Sequence, residues 1–329
     1  MKKSLDTKLN AIRSDGSGSP FIIAYAADPD MGAGVTGATS SMQDYCDELE
    51  VMVHQAKIDI LLTSVSNMDI LAHEKRLFDA SSVTPAVRAN DTTDIWGDQT
   101  SCYTSLPSRP FASTTIEEAQ YGTLHPAPGQ VPDVNLGLYS VTFNNDLDAD
   151  WFTLEQFKTF RVEAVRKQFG YFLEVFNPNV ADCGINPDQI PAYVNDQIAR
   201  MLAGIPRASR PEFLKVAYNG PEAMEALVQY DTSVVVGILG GPMSTTYDAF
   251  KLIADAKKRG ARLALFGRRI KGTESPLTFV DVLREVADES VSPEEGVKVY
   301  RDKLETLGIT PHRSLDEDMR ICTPGLLKA

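Results

Sequence analysis

The run "SVVVGILGGPMSTTYDAFKLIADAKKRGARLALFG" (233–267) carries the pattern that decides the fold. An apolar stretch, 233–241, ends on two glycines. A helical segment, 244–260, opens on Ser244 as its N-cap and closes on Gly260. A second apolar stretch, 261–267, ends on a further glycine. Two short apolar runs joined by an amphipathic helix read as parallel strands with a crossover connection.

The same unit recurs along the chain. Further strands are expected at 20–28, 58–65, 83–90, 136–144, 171–177 and 212–218. Helices are expected at 41–57, 67–80, 150–170, 186–204 and 221–230, with two more at 276–288 and 292–308. Eight strands alternating with helices predict an α/β fold: one (β/α)₈ barrel domain over 1–329, with a helical extension from about 290. The rival is a doubly wound open sheet, for which the glycine-rich run "DMGAGVTGATS" (30–40) is on its own a weak argument. Residues 91–135, rich in Thr, Ser and Pro, interrupt the alternation after the third strand. A loop this long is functional or flexible, so it reads as a lid, an oligomer contact or a mobile surface segment.

Composition narrows the function. The 329 residues carry 45 acidic and 32 basic side chains, a net charge of −13. Such a chain is a poor partner for nucleic acid, which needs clustered Lys and Arg. No apolar run approaches membrane-spanning length, and the polar start "MKKSLDTKLNAIRSDGSG" is no signal peptide. Cys46, Cys102, Cys183 and Cys322 form no CxxC pair, which suits a reducing cytoplasm. His54, His73, His125 and His312 form no HxH or HxxxH pair, so a metal-dependent enzyme built on histidine is disfavoured. No cofactor is expected.

"PEFLKVAYNGP" (211–221) places Lys215 inside an apolar strand. Alternation sets Phe213, Lys215 and Ala217 on one face and Leu214 and Val216 on the other. With the second pair toward the helices, Lys215 points into the barrel. A desolvated lysine loses its proton more readily, and the free amine can attack a carbonyl to form a Schiff base. Glu174 in "YFLEVFN" (171–177) is a carboxylate in the same kind of setting. It is a proton shuttle or simply the partner of Lys215. "AYAADPD" (24–30) ends the first strand with Asp28 and Asp30, of which Asp28 is the simpler candidate or a turn residue before Pro29. Gly240 and Gly241 end the seventh strand, and Gly267 with Arg268 (Arg269 second) follows the eighth. Barrels frequently bind phosphate in these two loops, although the glycines also serve tight turns.

These motifs together resemble the Schiff-base aldolase superfamily of (β/α)₈ barrels, over roughly 20–310 apart from the insertion. The family contains deoxyribose-phosphate, tagatose-bisphosphate and bacterial/archaeal-type class I fructose-bisphosphate aldolases. The resemblance implies Lys215 as the Schiff-base lysine, Glu174 and Asp28 as acid/base groups, and Gly240, Gly241, Gly267 and Arg268 as phosphate ligands. It implies a sugar-phosphate substrate, made of a dihydroxyacetone phosphate-like ketone plus an aldehyde, and leaves a homo-oligomer open. Two departures stand out. Phe176 occupies the region where fructose-bisphosphate members carry a tyrosine, and the seventh strand lacks the second lysine of deoxyribose-phosphate aldolase. The alternative is a repurposed barrel that binds a sugar phosphate or acts as an assembly subunit.

Overall fold

The computed structural model describes residues 1–14, 20–32, 41–95 and 101–328. Eight parallel strands form a closed barrel: β1 (Ile22–Ala26), β2 (Ile60–Thr63), β3 (Thr84–Arg88), β4 (Leu136–Thr142), β5 (Gly170–Phe176), β6 (Phe213–Val216), β7 (Val235–Leu239) and β8 (Leu263–Phe266). Each strand pairs with the next in sequence, and β8 returns to β1 with Leu263 opposite Ile22. Closure excludes the open sheet. Residues 33–40 of the glycine-rich run lie outside the described residues.

Alternation sorts the side chains. Ile22, Ala24, Leu62, Ala86, Leu138, Phe172, Phe213 and Leu265 form one buried cluster inside the barrel. Ile23, Leu61, Val87, Leu173, Leu214 and Val216 belong to the second cluster, shared with the helices. Such two-sided burial is what apolar strands of a parallel barrel require.

An additional helix, Ser4–Ser14, lies across the N-terminal end of the barrel. Its Leu5 and Leu9 join the inner cluster. Its polar side chains grip residues just before three strands. Lys8 donates to the Phe21 carbonyl (3.0 Å) and to Asp59 (2.9 Å), and Arg13 donates to Glu212 (2.7 Å).

Two expected elements differ. The helix expected over 67–80 is one α-helical turn, Val65–Met68, continued by a π-helix, Asp69–Glu74. The backbone leaves the helix where Arg76 takes a left-handed φ of 54°. The wide turn sets His73 Nδ1 3.0 Å from Asp133 Oδ2. The helix expected from Ser244 runs Thr246–Lys258 with Thr245 as its cap.

The insertion breaks into short ordered pieces. Asp91–Thr92 pairs antiparallel with Pro110–Phe111, and a helix, Ile116–Tyr121, starts on a capping box of Thr115 and Glu118. Gln120 is buried and donates to Asn135 Oδ1 at 2.8 Å, which ties this helix to the start of β4. Residues 96–100 of the insertion lie outside the described residues. Among the described residues no helix is long and apolar enough to cross a membrane.

Candidate active site

The inner-face residues one step above the apolar layer are charged or polar. Parity places Arg88 two residues after Ala86, Ser140 after Leu138, Glu174 after Phe172 and Lys215 after Phe213. All four are buried. Register makes three of them neighbours: Ser140 lies opposite Glu174, and Glu174 opposite Lys215. Beneath them the rings of Phe172 and Phe213 stack at 4.5 Å.

A continuous polar network results. Lys215 Nζ pairs with Glu174 Oε1. Glu174 Oε2 accepts from Ser140 Oγ at 2.8 Å and lies 3.6 Å from Arg88 Nη1. Arg88 Nη1 donates to Ser140 Oγ at 3.1 Å, and Arg88 Nε donates to Asp28. Asn90 braces β4 from the end of β3, donating to the Ser140 carbonyl (2.9 Å) and accepting from the Ser140 N–H (2.7 Å). Two cations and two carboxylates balance one another, with Asp28 partly exposed and the other three buried, the condition under which ionised groups tolerate burial.

The electrostatics favour a reactive amine. Burial pushes the Lys215 ammonium below the ordinary lysine range. The Glu174 charge opposes this, and the Arg88 charge adds to it. Burial also works against the Arg88 charge, but Asp28 and Glu174 outweigh it and hold the guanidinium charged. Asp91, just beyond β3, is pushed up to about 6 by burial, against the pull of Arg88.

Sequence reasoning placed Lys215, Glu174 and Asp28 in one barrel mouth, and here they share one network. It missed Arg88, Ser140 and Asn90. Arg88 gave a weaker signal than Lys215, a charge at the end of an apolar strand rather than inside it, in "VTPAVRAN" (83–90).

The expected phosphate residues lie at the ends of the adjacent strands β7 and β8. Gly241 has φ of 72°, which strains any side-chain-bearing residue. A Cβ on Gly267 would stand 2.6 Å from the Ala26 carbonyl oxygen. Gly240 packs on Phe266. Arg268 is exposed, whereas Arg269 is buried. The Arg269 guanidinium donates to the Gly240 carbonyl, Ser244 and Asp248, and to Thr323 Oγ1 at 2.8 Å. Asp248 also accepts from the backbone N–H groups of Cys322 and Thr323, each at 2.7 Å. Burial would raise the Asp248 carboxyl, but bonds from Arg269 and Thr323 hold it below the usual range. Arg269 therefore fastens the β7 loop to the segment around Thr323, and Arg268 is the side chain left facing outward.

Comparison with known proteins supports the fold. No protein-family model matches the chain, and neither does any curated protein sequence. Among solved structures, the chain is similar to a fructose-bisphosphate aldolase from Slackia heliotrinireducens, with TM-score 0.65, 13% identity, and 90% of this chain and 89% of that one covered. It is also similar to an archaeal fructose 1,6-bisphosphate aldolase, with TM-score 0.59, 17% identity, and 86% and 99% covered. A third structure is an archaeal fructose-1,6-bisphosphate aldolase whose catalytic lysine is covalently bound to the carbinolamine intermediate of its substrate. It gives TM-score 0.60 at 18% identity, with 86% and 99% covered. At these identities the similarity is one of fold.

Proposed function

We propose that this chain is a class I, metal-independent aldolase acting on a phosphorylated ketose through a Schiff base on Lys215. The observation that carries this reading is the buried Lys215–Glu174 pair, set on an apolar floor at the C-terminal end of a parallel barrel. The catalytic end of such barrels is the C-terminal one.

The Lys215–Glu174 pair supports the first step, and Schiff-base chemistry supplies the rest. Lys215 gives its proton to Glu174, and the free amine attacks C2 of the ketose. The carbinolamine oxygen takes a proton and leaves as water, which forms the iminium. A carboxylate, Glu174 or Asp28, removes the proton of the C4 hydroxyl. The C3–C4 bond breaks, its electron pair moves toward the iminium nitrogen, and the aldehyde departs. The enamine left on Lys215 is protonated at C3 and hydrolysed, returning the ketone phosphate and the amine. Phe176 has no proton to give, so proton transfer falls to Glu174 and Asp28. The phosphate is assigned to Gly240, Gly241, Gly267 and Arg268, with Arg269 holding the loop. A cytoplasmic setting is part of this reading.

The test is borohydride trapping with dihydroxyacetone phosphate, read as intact mass and modified peptide, in the presence of a chelator. A stable adduct on Lys215 is expected. No adduct with that ketone, with ketose phosphates or with pyruvate would sink the reading and favour a repurposed barrel.

A further inference from the structure

The charges around the mouth are lopsided. In the reading above, the C1 phosphate lies over the β7 and β8 loops, on one side of Lys215. The remaining ketose carbons must then run the other way, over Glu174 and Ser140 toward the loops that follow β1 to β5.

That rim is built from carboxylates and amides. Asp30 accepts from Ser64 at 2.5 Å and from Ser66 at 3.3 Å. Asp94 accepts from Thr142 at 2.9 Å and from Ser108 at 2.7 Å. Asn144 donates to Asn179 at 2.7 Å. Asn177 and Asn219 exchange amide bonds at 2.8 and 2.9 Å.

Cations are scarce there. Among the described residues there is no Lys or Arg in 27–32, 64–72, 143–149, 177–189 or 217–220, and Arg109 alone in 89–95 and 101–135. The Arg109 guanidinium lies over the Phe152 ring, 5.3 Å from its centroid. Arg88 is buried and committed to Asp28, Ser140 and Glu174. A phosphate on the far end of the substrate would meet Asp30 and Asp94, while the Arg109 guanidinium is turned onto Phe152. Hydroxyl groups would instead find both donors and acceptors.

We infer that the substrate is a ketose monophosphate, phosphorylated on the ketone half only, and that the aldehyde released is an uncharged hydroxyaldehyde. This inference rests on the aldolase reading and sharpens it. A bisphosphate substrate releases a phosphorylated aldehyde; this mouth selects against one.

The experiment has two stages. Borohydride trapping with dihydroxyacetone phosphate tests the aldolase reading alone, and absence of an adduct overturns that reading and this inference with it. Given an adduct, aldol addition is measured with dihydroxyacetone phosphate and a panel of glyceraldehyde, lactaldehyde and glyceraldehyde 3-phosphate. The neutral aldehydes should show kcat/KM at least about tenfold above glyceraldehyde 3-phosphate. Equal or better use of the phosphorylated aldehyde overturns the inference while the adduct leaves the aldolase reading standing. Arg109→Met should change none of these values; a loss confined to glyceraldehyde 3-phosphate would place a second phosphate on the insertion and also overturn it.

Discussion

Glu174 and Lys215 are register partners on adjacent parallel strands, and their side chains meet inside the barrel. Glu174 is the strongest influence holding the proton on Lys215 against burial. Glu174→Gln should therefore lower the Lys215 pKa further. The pH profile of borohydride trapping should keep its alkaline plateau and move its acid limb to lower pH. C–C cleavage should fall at least about a hundredfold, since the proton shuttle is gone.

Arg88→Met should act in the opposite direction. The Arg88 charge helps to lower the Lys215 pKa, so its loss raises it and moves the trapping limb to higher pH. The variant also leaves Asp28 without its guanidinium partner and Glu174 with Lys215 and Ser140. Breaking a buried ion pair costs about 3–5 kcal/mol, so a fall in thermal midpoint should accompany the shift. Opposite displacements in the two variants would be hard to obtain from general loosening of the site.

Lys215→Met removes the nucleophile, and trapping should vanish. Its effect on stability should be smaller than that of Arg88→Met, because Glu174 keeps Ser140 at 2.8 Å and Arg88 at 3.6 Å. Denaturant unfolding of the two variants checks the ranking.

Asp91 provides a pH prediction for stability. Burial raises its folded-state pKa to about 6, above the ordinary aspartate value of 3.8. The folded chain therefore binds this proton more tightly than the unfolded chain. The stabilising contribution is full below about pH 4 and is lost as pH rises through 6. The loss is on the order of 2–3 kcal/mol. Asp91→Asn should stabilise the protein at pH 7.5 and change little at pH 4, read as thermal midpoints across that range.

Thr323→Val tests the clamp at the phosphate loops. It removes the hydroxyl that bonds both Arg269 and Asp248. Each of these two hydrogen bonds is worth roughly 1 kcal/mol, so the Gly240 loop should loosen modestly. KM for the phosphorylated ketone should rise about fivefold, with kcat little changed. A fall in kcat with KM unmoved would count against a phosphate role for this loop.

The barrel was legible because two periods, 2 for strands and 3.6 for helices, repeat along the chain. Lys215 and Glu174 were legible because a charge in an apolar strand is out of place and must be accommodated. Arg88 escaped because it ends its strand, where a basic residue reads as a boundary. The helix Ser4–Ser14 escaped because few of its side chains, Leu5, Leu9 and the partly buried Ile12, pack on the inner cluster from a largely polar segment. The helix over 67–80 was overextended for the opposite reason. "NMDILAHEKRLFDA" keeps helical spacing, but the backbone widens into a π-turn at Asp69 and turns away at Arg76. Periodicity cannot register a change of pitch that tertiary contacts impose.

The stacked rings of Phe172 and Phe213 bear on the order of events in the proposed reaction. With this aromatic floor below, and Leu5 and Leu9 behind it, an adduct on Lys215 would meet solvent from one side only. In the proposed mechanism a bound aldehyde would stand on that side. Hydrolysis of the ketone half would then wait until the aldehyde had gone, which predicts ordered product release, with aldehyde first and ketone second.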